Sequence, residues 1–382
     1  MNVPTTAVAV RIIGMNYSQI SKGAAALSQF SGHETSPYEA LRQGRSAVDR
    51  LMTGMLDAGG MFLEVAATQV LLSTASPRIQ FVEFTADHEK ENGADWLWCW
   101  VDRDGTCFAL LVQAKILKVH GSRWSIDFTY KTRGDDRTQL SKLIRASNRF
   151  HVPAAYVLYC GDSQYRSTLN CDRTHDDVPC KERDRVGVST VSALVAEVAV
   201  GVGGVSAGVM AFHDAIPVED VASPDGLDAP IVPLARGLSE DLDRFLRQPQ
   251  RGSRRVAKEL LRPVQRIRNG QFAGAAVMQR AAPVTGALFE NVPNDFGHFS
   301  VPYLAHTLRG LRAEVPYYVR DVLEGRTPPA WVTDHLGGIV VIPDADAPTT
   351  ASTVRASDTG LFLPHLPEAP QPPHDHRPTR AA

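Results

Sequence analysis

Three polar residues accompany two strand-like segments of the sequence. Asp95 opens the segment 95–101, and Gln113 and Lys115 lie within the segment 106–118. Alternation along a strand places Gln113 and Lys115 on the same face. If the two strands pair as a hairpin with Asp95 near the end of its strand, the three side chains converge at one edge of the sheet. They would supply a carboxylate and an amide oxygen for a hard cation and an ammonium that orients water and stabilises phosphorane charge.

The surrounding pattern supplies elements that can position these residues. Residues 46–73 predict two tandem helices around Gly59-Gly60, and residues 78–85 predict a strand. Asn92-Gly93 is a tight-turn signal, and a second turn at 102–105 predicts a hairpin between the segments 95–101 and 106–118. A helix at 135–149 and a strand at 154–159, buried on both sides, follow. This order predicts an α/β fold with a central mixed sheet flanked by helices.

Trp96, Trp98 and Trp100 form a stripe on one face of the first hairpin strand. A row of aromatic rings can stack on nucleic-acid bases. On a central strand such a stripe more often packs against helices. We therefore expect the three indole rings to lie in the core.

Two short motifs resemble those of a known superfamily. Gly93-Ala94-Asp95 on one strand and Val112-Gln113-Ala114-Lys115 on the next, followed by a helix with Gln139-Leu140, resemble the PD-(D/E)xK nucleases in the Q-x-K form of Mrr-type restriction enzymes. The longer motifs GADWLW and VQAK are also similar to an uncharacterised bacterial domain family associated with that superfamily. The resemblance covers roughly residues 62–159 and implies a restriction-endonuclease-like fold.

The resemblance also implies roles for five residues. Asp95 and Gln113 match the metal-binding positions, and Lys115 matches the catalytic lysine. Glu64, on the helix before the sheet, matches a glutamate that completes the metal site, and Gln139 matches a glutamine that supports the site or touches the substrate backbone. The implied cofactor is Mg²⁺ or Mn²⁺, and the implied partner is nucleic acid, with DNA favoured over RNA. Bacterial defence or restriction is the implied setting.

The sequence departs from the common motif at two points. No proline precedes Asp95, and Gln113 stands where an acid is usual, which removes a negative charge and weakens Mg²⁺ binding. A nuclease-fold binding or interaction module with little or no catalysis therefore remains the rival interpretation. A third is a structural protein whose second half carries the function.

Each site residue also has an ordinary structural interpretation. Asp95 could be a turn residue after Asn92-Gly93, and Lys115 a strand-end side chain that reaches for solvent. Glu64 could be a solvated helix residue, and Gln139 could serve structure alone.

Composition narrows the class of protein. With 40 Lys+Arg and 42 Asp+Glu, the formal net charge is −2, so a nucleic-acid contact would need a local basic surface. The apolar segment 191–212 contains Glu197 and four glycines, which argues against a membrane span. Five cysteines do not resemble a disulfide framework, and no secretory signal begins the sequence, so we expect a cytoplasmic protein. The oligomeric state stays open, with a homodimer among the options.

Composition shifts along the chain predict its organisation. Residues 1–44 are expected to be an extension, 45–195 the nuclease-like domain and 196–224 a linker. Residues 225–343 would form a separate helical or mixed region with a strand at 337–342, and 344–382 a disordered tail that includes His374-Asp375-His376.

Two further groups of residues have alternative interpretations. Cys160, Cys171, His175 and Cys180 are residue types that bind zinc, but without a paired C-x-x-C motif free thiols are favoured. The arginine-dense segment 238–268 predicts two helices broken near Pro249 and Gly252. Its basic residues could follow a phosphate backbone, although interleaved acids favour a solvated helix face.

Overall fold

A computed structural model describes most of the chain between residues 36 and 343. The described ranges are 36–76, 78–84, 96–121, 123–131, 134–169, 171, 180–222, 229–271, 287–289 and 291–343. The predicted tail, 344–382, and residues 1–35 of the predicted extension lie outside them. The described residues all belong to one compact unit.

The first two helices confirm the tandem pair that the sequence predicts. Helix α1 spans Pro37–Asp57 and helix α2 spans Glu64–Ala75. Helix α1 begins earlier than expected because the Ser36 hydroxyl accepts the backbone N–H of Glu39 at 3.2 Å, which caps its first turn. The break between the helices includes Gly59 at φ 69°, a backbone conformation that glycine adopts at little cost.

A mixed sheet forms the centre of the fold. Its central hairpin is confirmed: Trp96 pairs with Val112 and Val101 with Cys107 in antiparallel register. The strand order is β1–β10–β2–β3–β6–β7–β8, with β9 paired to β3, and β4 and β5 form a separate two-stranded sheet. The strands are β1 Gln80–Glu83, β2 Trp96–Val101, β3 Cys107–Ile116, β4 Lys118–His120, β5 Arg123–Ser125, β6 Ala154–Tyr159, β7 Val188–Ser192, β8 Ile216–Pro217, β9 Leu311–Arg312 and β10 Gly338–Pro343.

Helices cover both faces of this sheet, which establishes the predicted α/β class. The remaining α-helices are α3 Gln139–Phe150, α4 Ser163–Ser167, α5 Lys181–Arg185, α6 Ala193–Gly203, α7 Glu240–Arg247, α8 Gly252–Gly270, α9 Tyr303–Leu308, α10 Tyr317–Leu323 and α11 Ala330–Thr333. The tryptophan stripe is core, as predicted: Trp96, Trp98 and Trp100 are 8%, 1% and 4% exposed. The helices of the described residues include none with the length and apolarity needed to cross a bilayer.

The predicted separation of residues 225–343 differs from the structure. Strand β10 lies between β1 and β2, antiparallel to the first and parallel to the second. Its residues are almost all buried, which suits a strand covered on both faces. At its start, Gly338 lets the strand approach Trp96, because a Cβ there would overlap the indole ring. The C-terminal region therefore completes the sheet.

The predicted linker at 196–224 is also structured. It contains most of α6, a 3-10 helix at Val205–Asp214 and strand β8. Phe212 at 2% and Ala211 at 0% exposure belong to the core. Proline and aspartate in this part of the sequence mark short elements and turns of the same unit.

Candidate functional site

The candidate site is built around the second half of β3. Gln113 and Lys115 share one face of this strand, paired with Tyr156 and Leu158 of the parallel strand β6. The side chain of Thr138 accepts the N–H of Ser141 and caps α3, so this helix starts at Gln139.

Lys115 extends into the protein rather than towards solvent. Its side chain is only 8% exposed, and its Nζ donates a 2.5 Å hydrogen bond to Oε1 of Gln139. An ammonium can donate three hydrogen bonds, and Gln139 accepts one of them. The contact fixes the position of the charge, so a solvent-seeking strand end does not describe this lysine.

Gln113 contributes a buried oxygen that has no hydrogen-bond partner among the described residues. Its side chain is 1% exposed, and Oε1 is left unsatisfied. Leaving a buried amide oxygen unpaired costs about 1–3 kcal/mol, so such atoms call for an explanation. One explanation is that this oxygen coordinates a group that comes from outside the protein, such as a hard cation.

Glu64 connects helix α2 to the end of β3. It is the first residue of that helix, and its Oε1 accepts the backbone N–H of Ile116 at 3.2 Å. Ile116 follows Lys115 directly, so the carboxylate lies at the same end of the strand as the lysine. This tertiary contact replaces the solvated-residue interpretation. A carboxylate has a second oxygen, which is available in principle to a ligand.

Asp95 lies outside the described residues. Its neighbour Trp96 begins β2 and pairs with Val112, the residue before Gln113. The structure thus brings together Glu64, Gln113, Lys115 and Gln139 of the five predicted residues.

The structure adds Tyr130, which sequence reasoning missed. Its backbone carbonyl accepts a hydrogen bond from the N–H of Gln139 at 2.9 Å. The segment before α3 therefore positions Gln139, which in turn binds Lys115. A backbone carbonyl has no sequence signature. The N-cap Thr138 is recognisable in the sequence as a residue type that often caps helices. Asp135, three residues earlier, is also a common capping type, so the sequence does not decide where α3 begins.

The arginine-dense segment forms the two predicted helices, α7 and α8. Lys258, fully buried, donates to the carbonyl of Gln248 at 2.7 Å. Most of the charged side chains of these helices are engaged in ion pairs within the protein. These pairs are Arg244 with Glu240 and Asp241, Arg247 with Asp243, Arg262 with Glu259, Arg266 with Asp214, and Arg268 with Asp295.

The cysteine cluster assembles only in part. The Sγ atoms of Cys171 and Cys180 are 3.6 Å apart, whereas Cys160 is fully buried and His175 lies outside the described residues. Burial raises the pKa of the Cys160 thiol to about 12, which disfavours the thiolate that zinc requires. Within the described ranges, no group of three or more His, Cys, Asp or Glu side chains is placed to hold a metal ion.

Comparison with known proteins places the chain in a family without assigning an activity. No curated protein and no solved structure matches the chain significantly. A family model does match residues 61–348, a range that includes both the candidate site and strand β10. Because this range covers well over half of the 382 residues, the chain belongs to DUF6615, a family of unknown function.

Proposed function

We propose that this protein is a metal-dependent nuclease with a restriction-endonuclease-like core, and that it hydrolyses phosphodiester bonds of nucleic acid, DNA in the first instance. The observation that carries the proposal is the juxtaposition on β3 of a buried, unsatisfied oxygen of Gln113 and a positioned ammonium of Lys115. Nuclease chemistry uses both: an oxygen ligand for a cation and a positive charge beside the phosphate.

The residues present fit a divalent metal ion. Glu64, Gln113 and Asp95 would hold it, and all three offer oxygen, the donor that Mg²⁺ and Mn²⁺ prefer. The unsatisfied Oε1 of Gln113 supports this part of the proposal, because a cation would give that buried oxygen a partner. When bound, the ion would supply Lewis-acid polarisation of the phosphate and a lowered pKa of water.

The protein's own side chains would do the positioning. The Lys115 ammonium would orient the attacking water and stabilise the negative charge that develops on the phosphate oxygens. Gln139 accepts one of its N–H bonds, which restricts the directions in which the others point. The bond from Ile116 to Glu64 holds the carboxylate beside this strand end. Preorganisation of this kind lowers the cost of assembling the transition state.

The order of elements supports the restriction-endonuclease-like part of the proposal. Helix α2 precedes β1, β2 and β3, and helix α3 and strand β6 follow them, with β6 parallel to β3. This is the order that the sequence pattern predicts for residues 46–159. Strand β10, inserted between β1 and β2, is an addition to it.

A binding module that keeps the fold without efficient catalysis is the second candidate. The observation in its favour is Gln113 itself, since a neutral amide at this position leaves only Glu64 and Asp95 to balance a divalent charge. Fewer charged ligands weaken Mg²⁺ binding. This candidate predicts nucleic-acid binding without cleavage.

Cleavage assays on single-stranded and double-stranded DNA and on RNA, with Mg²⁺, Mn²⁺ or EDTA, test the proposal. We expect metal-dependent cleavage that falls at least about 100-fold in Lys115→Met. The matched control is Lys258→Met, which removes another buried lysine, on α8, and should retain activity in the folded fraction. Cleavage that survives Lys115→Met would overturn the mechanism, and intact substrates under every condition would favour the binding module.

A further inference from the structure

The two-stranded sheet that follows β3 carries a basic face. Lys118 pairs with Ser125 and His120 with Arg123 in antiparallel register. Paired residues, and residues two apart on one strand, project to the same side. Lys118, His120 and Arg123 therefore share one face of the hairpin, and all three are exposed.

The opposite face anchors the hairpin to the protein. Trp124 is half-buried, and its ring lies 5.4 Å from that of Tyr165. Strand β5 also packs against the 3-10 helix at Val205–Asp214. Because this side is held against the core, the basic face is directed towards solvent.

The charges of this face are not engaged within the described part of the protein. Lys118 and Arg123 have neither an ion pair nor a side-chain hydrogen bond there, in contrast to the arginines of α7. The nearest acid along the chain, Asp127, accepts the backbone N–H and the hydroxyl of Thr129 at 2.8 and 3.0 Å, so it is turned into its own loop. An uncompensated basic face attracts phosphates.

An exposed tyrosine is bonded through its backbone to the helix that carries Gln139. Tyr130 is 58% exposed and is followed by the exposed Lys131. Its carbonyl binds the N–H of Gln139, whose side chain binds Lys115. A tyrosine held in this way has an accessible ring close to the proposed chemistry, where a base can stack on it.

The basic face also begins close to Lys115. Lys118 is three residues beyond it, and three extended residues span at most about 11 Å. Leu117 still bonds to the main sheet, its N–H donating to the carbonyl of Tyr159 at 2.9 Å, and the separate hairpin of β4 and β5 begins at the next residue. The basic residues thus extend outward from the end of the strand that carries the site.

We propose that the face formed by Lys118, His120 and Arg123, together with Tyr130, binds a single strand of DNA and directs it to Lys115. This inference rests on the proposed function for the choice of DNA, and it names the substrate as single-stranded. The three basic side chains would contact the phosphates, and the Tyr130 ring would stack on a base. A ring can stack only on a base whose face is uncovered, and a duplex interior offers none.

Binding measured without metal tests this inference separately from catalysis. The probe is a fluorescently labelled oligothymidine strand, followed by anisotropy in EDTA, with the corresponding duplex and RNA strand in parallel. We expect Tyr130→Leu to weaken oligothymidine binding at least about fivefold and leave duplex binding unchanged. We expect Lys118→Gln/Arg123→Gln to weaken binding and to reduce the slope of log K against log salt by about 1.4, since each single-strand phosphate contact contributes about 0.7.

Arg244→Gln/Arg247→Gln is the matched control, because it removes the same number of charges from the exposed surface of α7. It should bind the strand as the unchanged protein does. If it loses binding instead, the surface lies on α7 and the inference is overturned. Tighter binding of duplex or RNA, or full binding by the Tyr130 and hairpin variants, also overturns it. Failure of cleavage with intact binding would count against the proposed function alone.

Discussion

Gln113→Leu is the substitution that most directly tests why a polar side chain lies unsatisfied in the core. Gln113 is 1% exposed, and no described group donates to its Oε1. If the oxygen serves an external cation, the protein without metal bears the cost of burying it. Leucine has a similar volume and no polar atom, so the substitution removes that cost.

The expected change in the free energy of unfolding follows from the free-energy cost of an unsatisfied buried polar group. We expect Gln113→Leu to raise the free energy of unfolding by about 1–2 kcal/mol in EDTA, because an orphaned amide oxygen costs about 1–3 kcal/mol. Most core substitutions lower stability, so the sign is diagnostic.

Gln265 provides the matched control. It is 2% exposed, its Oε1 accepts the Tyr303 hydroxyl at 2.8 Å, and its Nε2 donates to Asn269 at 2.8 Å. Gln265→Leu leaves the fully buried Tyr303 hydroxyl without an acceptor, so the free energy of unfolding should fall by about 1–3 kcal/mol. Urea denaturation of both variants at one pH measures the two effects.

Repeating the unfolding measurement with Mg²⁺ connects stability to function. A ligand that binds only the folded state stabilises it by about 2.7 kcal/mol at one hundred times its Kd. We expect Mg²⁺ to stabilise the unchanged protein and to stabilise Gln113→Leu much less. If Gln113→Leu destabilises the protein as Gln265→Leu does and keeps the full Mg²⁺ effect, the ligand role of Gln113 is refuted.

Two further predictions concern other parts of the fold. Burial lowers the pKa of His306, whose Nε2 accepts the backbone N–H of Ala154. The unfolded state then binds the proton more readily, so the free energy of unfolding should fall as pH drops below about 6.5, by up to about 1.4 kcal/mol per unit. His306→Gln should flatten this profile, and an unchanged profile would contradict the assignment. Gly338→Ala should destabilise the protein by about 1–3 kcal/mol because its Cβ overlaps Trp96. Gly54→Ala lies in the last turn of α1, where the added Cβ meets no atom within 4 Å, and should stabilise the protein by about 0.4–1 kcal/mol. Equal effects of the two alanine substitutions in denaturant would contradict the packing of β10.

Local pattern predicted most of the longer elements, although it missed α6 and many of the short ones. The strand at 154–159 is an uninterrupted apolar run, and the structure has it at Ala154–Tyr159. The helix expected from 135 begins at Gln139 instead. Both Asp135 and Thr138 are capping residue types, and only the tertiary arrangement selects between them. Asp135 pairs with Lys142 at 2.8 Å while Thr138 caps the helix.

The candidate site was predictable where it depends on alternation and not where it depends on contacts. Gln113 and Lys115 share a face because they are two residues apart on one strand, which the sequence states directly. Two contacts could be known only from the fold. Lys115 bonds to Gln139, 24 residues later, and Glu64 bonds to the N–H of Ile116, 52 residues later. The basic face of β4 and β5 was missed because three separate basic residues share one side of the hairpin only once the two strands pair.

By itself, the sequence determined the tandem helices, the central hairpin and strand β6, since burial imposes periods of 2 and 3.6 on the apolar residues. It also placed the polar pair on β3. Only the tertiary structure decided that β10 enters the middle of the sheet beside β2, more than 230 residues away along the chain. Pairing between distant strands is selected by complementary packing surfaces, such as Gly338 against Trp96, and a backbone hydrogen bond carries no residue code for its partner.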